Sequence, residues 1–161
     1  MNDPRVWTVT VPGAPVGKSR ARVVRGKNGK VHAYTPKKSA NWEKSAAMEA
    51  KRVMANDEPT CLPVGLCLVA FMPIPKSWPA WKQGAAHDGL IKPTGKPDLD
   101  NMVKAAKDAL NGIAWKDDSQ VVSVTAMKTY GKKPQVVLKI IEVGKIPSSV
   151  SNRSELRELI A

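Results

Sequence analysis

The chain reads as one α/β (α+β) domain, a mixed sheet of about five or six strands with two main helices packed on it. Three observations predict this. Runs with strand propensity, either alternating or continuously apolar, recur from Arg5 to Val11, Ala21 to Tyr34, Val64 to Met72, Gln120 to Tyr130 and Gln135 to Val143. Two other stretches, Pro36 to Met54 and Asp98 to Ile113, set their apolar residues at helical spacing instead. At 161 residues and without an internal repeat, one domain with a real core is the default.

Arg5 to Val11 alternates as a half-buried strand does, and Pro12-Gly13 ends it. The following Gly13-Ala14-Pro15-Val16-Gly17-Lys18-Ser19 is not a P-loop. That motif needs four residues between its glycines, and here Gly13 and Gly17 enclose three, Pro15 among them. The segment reads as a basic linker, and no nucleotide cofactor is expected. From Ala21 to Tyr34, strand-forming residues flank Asn28-Gly29, a strong hairpin signal. Thr35-Pro36 predicts a helix start, with Thr35 as cap and Pro36 at the first helical position. That helix should reach about Met54 and bury Trp42, Ala46, Ala47, Ala50, Val53 and Met54, which makes Trp42 core rather than a stacking platform for a base.

Val64 to Met72 is apolar on both faces, as expected of a central strand covered on each side. Pro73 to Pro97, with five prolines, is the one long irregular connection. Within it Ser77 can cap a short helix through Trp78, Trp81 and Lys82, and those two indoles either pack under the loop or stack on unpaired bases. Gln120 to Tyr130 reads as a strand, Gly131 to Pro134 as a turn, and Gln135 to Val143 as the antiparallel partner of that strand. In the tail, Asn152 with Glu155 resembles a capping box for a short helix bearing Leu156, Leu159 and Ile160.

Lys and Arg outnumber Asp and Glu by 26 to 14, a net charge of +12. Such an excess implies a polyanionic partner, either nucleic acid or an anionic membrane surface. The longest apolar run, Leu66 to Met72, is too short to span a bilayer, and the N-terminus lacks the form of a signal peptide, so a cytoplasmic protein without a membrane partner is expected. Cys61 and Cys67 are held about 20 Å apart by extended chain, far beyond disulfide reach, and read as free thiols. His32 and His87 offer no metal-ligand spacing. Between Gly17 and Arg52 stand eleven Lys or Arg against Glu43 and Glu49. A solvated face is the plain account of that excess, and a phosphate-binding surface is the better one. Its candidates are Lys18, Arg20, Arg22, Arg25, Lys27, Lys30, Lys37 and Lys38.

The chain is organised around Lys96 to Val122, which places Asp98, Asp100, Asp108, Asp117 and Asp118 within this basic sequence. Leu99, Met102, Val103, Ala106, Leu110 and Ile113 mark the buried side of a helix, leaving Asp100, Lys104, Lys107, Asp108 and Asn111 facing outward. Taken singly, each acid has an ordinary explanation. Asp98 or Asp100 can cap the helix, Asp100, Lys104 and Asp108 can pair at i, i+4, and Asp117 and Asp118 can form a turn before a strand. Taken together, two carboxylates two residues apart, a Lys one turn on and a second acidic pair are what a divalent metal site for phosphodiester chemistry needs. Geometry alone leaves the two accounts level.

The motif Pro97-Asp98-Leu99-Asp100-Asn101, then Lys104, then Asp108-Ala109-Leu110-Asn111-Gly112, then Asp117-Asp118-Ser119-Gln120-Val121 resembles the signature of the RusA family of Holliday junction resolvases, in residue types and spacing alike. Gly17-Lys18-Ser19-Arg20-Ala21-Arg22 and Tyr34-Thr35-Pro36-Lys37-Lys38 extend the likeness upstream, to about residues 5–143. Ala21 stands where many relatives carry Pro, and the tail finds no match. The resemblance implies a RusA-like nuclease domain over residues 1–145, with 146–161 as a tail. It also implies Asp98, Asp100 and Asp118 as catalytic carboxylates holding Mg²⁺ (or Mn²⁺), and Lys104 as the essential basic residue. Asp117 and Asp108 would stand behind them.

The expected activity is metal-assisted hydrolysis that resolves four-way DNA junctions by nicking two opposed strands, in recombination and repair. The active form would be a homodimer. A less discriminating flap or fork nuclease is the alternative, as is a junction-binding protein without chemistry. One geometric demand follows: the helix carries the chain some 20 Å away from Asp98. The six residues Ile113 to Asp118 span about 20 Å when extended, and are expected to run straight back within one chain, with Gly112 permitting the reversal. The other arrangement has Asp118 serving the second subunit's site.

Overall fold

The computed structural model describes residues 4–144, so the expected tail helix at residues 152–160 lies outside it. The elements in chain order are β1 (Val6–Pro12), β2 (Arg22–Arg25), β3 (Val31–Tyr34), α1 (Lys37–Val53), β4 (Val64–Pro73), α2 (Ala80–His87), α3 (Leu99–Leu110), β5 (Val121–Gly131) and β6 (Gln135–Glu142). The class is the expected mixed α/β. The six strands divide into a four-stranded sheet, ordered β1-β6-β4-β5, and a separate β2–β3 ribbon.

β6 is antiparallel to both β1 and β4, whereas β5 is parallel to β4. The expectation that β6 pairs with β5 is therefore corrected, because β4 lies between them. The reason is spatial. Gly131 flanks Pro73 on one side of β4, and Gln135 flanks Phe71 on the other. The short link at residues 132–134 steps across the end of β4, a distance of two strand spacings, or about 10 Å. A tight turn therefore does not imply a hairpin here.

One face of the sheet is dry. Trp7, Val9 and Val11 of β1, Val64, Leu66, Leu68 and Ala70 of β4, and Val136, Leu138 and Ile140 of β6 are buried in a single cluster with Trp42, Ala46 and Ala50 of α1 and Met102, Ala105, Ala106 and Leu110 of α3. On β4 the alternate residues Cys67, Val69 and Phe71 are only half-buried. β4 is central as expected, but helices cover it on one face, so its apolar run overstated the coverage. Each fully buried Leu or Ile contributes about 1.5–3 kcal/mol, which makes this layer the main source of stability. Cys61 is exposed, Cys67 is half-buried, and both are free.

Three local boundaries differ from expectation. Pro36 is extended (φ −53°, ψ 136°) and is itself the residue before α1, with no side-chain cap, so Thr35 does not cap and the helix begins one residue later. Val53 is exposed while Met54 beyond it is buried. α2 begins after Pro79 rather than at Ser77, with the Pro79 carbonyl accepting from Lys82 and Gln83. Trp78 packs edge-on to Tyr130 beneath Lys82, whereas Trp81 is 72% exposed. The β2–β3 ribbon forms where Asn28-Gly29 signals it, through a longer loop closed by Gly26 N–H donating to the Lys30 carbonyl. No helix among the described residues is long and apolar enough to cross a membrane.

Candidate active site and nucleic-acid interface

α3 forms because its apolar residues fall on one stripe, and Asp98, extended at φ −70°, marks its start. The Asp98 carbonyl accepts from Met102 N–H at 3.1 Å, but its side chain makes no capping bond. Asp100 sits exposed in the first turn and Lys104 lies exposed one turn on. None of the three takes part in an ion pair among the described residues. The capping and i, i+4 account of these acids is therefore not what the fold uses. Two carboxylates stand free at a helix N-terminus, whose positive end favours them.

Asp117 and Asp118 lie elsewhere. Gly112 adopts φ +75°, and its N–H donates to the Trp115 carbonyl at 2.8 Å, closing a tight turn. The chain then joins the segment before β4, with Thr60 N–H donating to Ala114 and Lys116 N–H to Thr60. A 3-10 turn, Asp118–Gln120, follows. Asp117 caps it by accepting from Ser119 N–H at 2.9 Å, and the Gln120 side chain returns the bond to Asp117 N–H. Those bonds from Ser119 hold the Asp117 carboxyl below its ordinary range. Gln120 also donates to the Thr60 and Leu62 carbonyls, and the indole of wholly buried Trp115 donates to Asp118 Oδ1 at 3.0 Å. Asp118 is thus rigidly placed.

Its place is the far end of the domain. Val121 pairs with Val64 at the start of β4, while Lys128 lies beside Ala70, about 23 Å farther along the strand. The Lys128 ammonium reaches the carbonyls of Gly95 and Pro97, directly before Asp98. The entry to α3 and Asp118 are therefore on the order of 20 Å apart, roughly the length of α3. The expected straight return of Ile113 to Asp118 is corrected: those residues are spent in a turn that holds the end of α3 to β4. Among the described residues, no three His, Cys, Asp or Glu side chains gather to hold a metal ion. One chain offers two free hard carboxylates at one end and a third at the other. The donor chemistry suits a divalent cation, but one chain does not complete a cradle.

A family model described as "Endodeoxyribonuclease RusA" matches residues 12–141 of this chain. The chain belongs to the RusA family. It is similar to the uncharacterized protein YqaN of Bacillus subtilis (strain 168), 42% identical over 137 residues that cover 83% of this chain and 94% of YqaN. It is also similar to the crossover junction endodeoxyribonuclease rusA of Lactococcus phage r1t, 29% identical over 122 residues, 71% of this chain and 81% of that protein.

In this RusA family member the basic surface is mostly free. Arg20, Arg22, Arg25, Lys27, Lys30, Lys37 and Lys38 are exposed, with Arg22, Arg25, Lys27 and Lys30 carried on or beside the β2–β3 ribbon. Lys18 differs from these in being half-buried and ion-paired. Its ammonium is 2.9 Å from Glu43 of α1 and 2.8 Å from Asp108 of α3, and its backbone N–H donates to the Asn101 carbonyl. Burial opposes its charge, but the hydrogen bonds it donates to Asp108 and Glu43 outweigh that and raise its pKa. Asp108 is correspondingly a structural partner of Lys18 rather than of Lys104.

Gly17 lies so close to α3 that a methyl group there would be 3.0 Å from Asn101 Cβ, and buried Ser39 of α1 bonds the Gly17 carbonyl and the Ser19 N–H. This packing frames a cleft of about 390 Å³ whose lining includes Lys18, Ser19, Lys38, Lys96, Asp98 and Asn101. Lys96 and Asn101, which line this cleft, were not among the expected site residues, although Asn101 belongs to the motif that carries the family resemblance.

Proposed function

We propose that this protein is a structure-selective DNA endonuclease that resolves four-way junctions by hydrolysing phosphodiesters in two opposed strands, during recombination and repair. The observation that supports it most is the free pair Asp98 and Asp100, with Lys104 one turn on, of which Asp98 lines a cleft that also carries Lys38 and Lys96. A binder without chemistry gains nothing from unpaired carboxylates beside a phosphate path, since they repel it. The phage relative's name states a crossover junction endodeoxyribonuclease, and the +12 charge suits a polyanionic substrate.

Asp98, Asp100 and Asp118 are the residues that would hold Mg²⁺ or Mn²⁺, which when bound polarises a phosphate and acidifies a water. The chain's own groups divide the remaining work. Lys38 and Lys96 draw the DNA backbone into the cleft, and Lys104 offsets charge developing on the phosphate or the leaving oxygen. The exposed ribbon positions the arms through phosphate contacts. Because Asp118 stands about 20 Å from Asp98 in one chain, the set is completed by a second chain, each site taking Asp98 and Asp100 from one subunit and Asp118 from the other.

Mixing decides it. Asp98→Asn and Asp118→Asn chains, each inactive alone but still binding junctions, should regain nicking when mixed, since each heterodimer then carries one intact site. A mixture that stays dead would refute the composite site. Either variant cleaving at near wild-type rate would refute the assignment altogether.

A further inference from the structure

We propose that the outward face of α1 is a lysine track that carries one duplex arm of the DNA from the cleft to the opposite end of the domain. Lys37, Lys44 and Lys51 recur every seven residues, which keeps them within about 40° of one another around the helix axis, and all three are exposed. Trp42, Ala46 and Ala50 are buried on the other side of α1, so the stripe points away from the core. Lysines on a helix surface are commonly balanced by acids one turn away. These are not. α1 contains two acids, and both are engaged elsewhere: Glu43 accepts from Lys18 and Ser39, and Glu49 accepts from Arg52 at 2.8 Å. Lys37, Lys44 and Lys51 take part in no ion pair among the described residues. Asn41 and Met48, which lie between them on that face, are uncharged.

Packing places both ends of the stripe. Lys38, next to Lys37, lines the cleft with Asp98 and Asn101 at the start of α3. At the other end Lys51 and Met54 line a second hollow with Gly112 and Ile113, just beyond the end of α3. α1 and α3 therefore run in the same direction, and the track leads away from the free carboxylates. Fourteen residues of helix cover about 21 Å. DNA rises 3.4 Å per base pair, so a backbone following the track meets the three lysines over roughly six base pairs. A helix that lies on an anionic membrane needs a broad apolar face outward as well as cations, and the lysine face offers Met48 alone. An extended polyanion is the better match. That this polyanion is a junction arm rests on the proposed function; the unbalanced stripe does not.

The test reads binding first and cleavage separately. The full chain is titrated with a long-armed four-way junction at several salt concentrations. Lys44→Ala and Lys51→Ala should each reduce the magnitude of the slope of log K against log salt by about 0.9 per chain. Together they should remove hydroxyl-radical protection of one arm at roughly three to six base pairs from the branch and leave protection at the branch itself. The control is Lys139→Ala, which takes the same charge from an exposed position on the face of the sheet away from the helices and should change neither reading. An equal loss of slope in Lys139→Ala would make the effect one of net charge and overturn the track, as would an unchanged slope and footprint in the doubly substituted chain. Loss of binding to phosphatidylserine vesicles with junction binding intact would give the stripe to a membrane surface and overturn it too. An arm protected through Lys44 and Lys51 on a junction that is never nicked when Mg²⁺ is added would overturn the proposed function and leave the track standing.

Discussion

Replacing Lys18 tests whether a lysine that sequence places on the DNA surface is in fact a bolt inside the fold. Its ammonium bridges Glu43 and Asp108 at 2.9 and 2.8 Å, with the three side chains 23%, 20% and 32% exposed. Removing one partner of a fully buried pair costs about 3–5 kcal/mol, and a surface pair is worth at most about 1 kcal/mol. A triad between those limits should lose about 2 kcal/mol in Lys18→Met, which keeps the stem and leaves two carboxylates facing each other. For a chain of this length that lowers Tm by about 4–8 °C.

The sign with pH follows from the raised Lys18 pKa. The stabilisation is fully present below the unfolded-state value near 10.4 and is lost as pH rises through the folded-state value. The wild-type and Lys18→Met stabilities should therefore differ by a constant amount from pH 7 to 9 and converge above it. Chemical denaturation at several pH values measures the gap, and DNA titration at several salt concentrations measures the slope. Lys18→Met should leave the salt slope unchanged, because its charge is already neutralised. An unaltered Tm together with a shallower salt slope would refute the structural assignment and return Lys18 to the phosphate surface.

Changing Lys27, Lys30, Lys37 and Lys38 together to Ala should reduce the magnitude of the slope of log K against log salt by up to about 3–4, if each lysine meets a phosphate; no change would put the phosphate surface elsewhere. Glu142 is buried, which alone would raise its pKa, yet hydrogen bonds from Arg5 at 2.6 and 3.0 Å, with one from Thr60, hold it below the ordinary value. Its stabilisation of the β1–β6 edge should thus be complete above about pH 4.3 and fade as pH falls through the folded-state value, whereas Glu142→Gln should show a flatter acid limb in urea melts. Gly17→Ala should cost about 1–3 kcal/mol by overpacking against Asn101 and Pro97; a Tm equal to wild type would mean that the cleft wall yields freely.

Much of this protein is legible in its sequence because the signals are local. Hydrophobic period identified α3, α1 and the strands, since the side-chain directions of a helix or strand are fixed by backbone geometry within a few residues. Charge pointed to nucleic acid, and the Asp98–Lys104 motif pointed to the RusA family. Tertiary structure decided what depends on the path of the chain between elements. It placed β6 on the far side of β4 from β5, because a three-residue link can cross a strand end as easily as it can form a hairpin. It drew Lys18 inward, because α1 and α3 pack side by side and bring Glu43 and Asp108 to one point from 65 residues apart in sequence. It also set Asp118 at the opposite end of the domain from Asp98. Six residues were long enough to run back, but the buried Trp115 and the Gln120 bonds to Thr60 and Leu62 hold them at the foot of β4 instead. Reach along the chain sets only an upper limit on separation, and packing chooses the path within it.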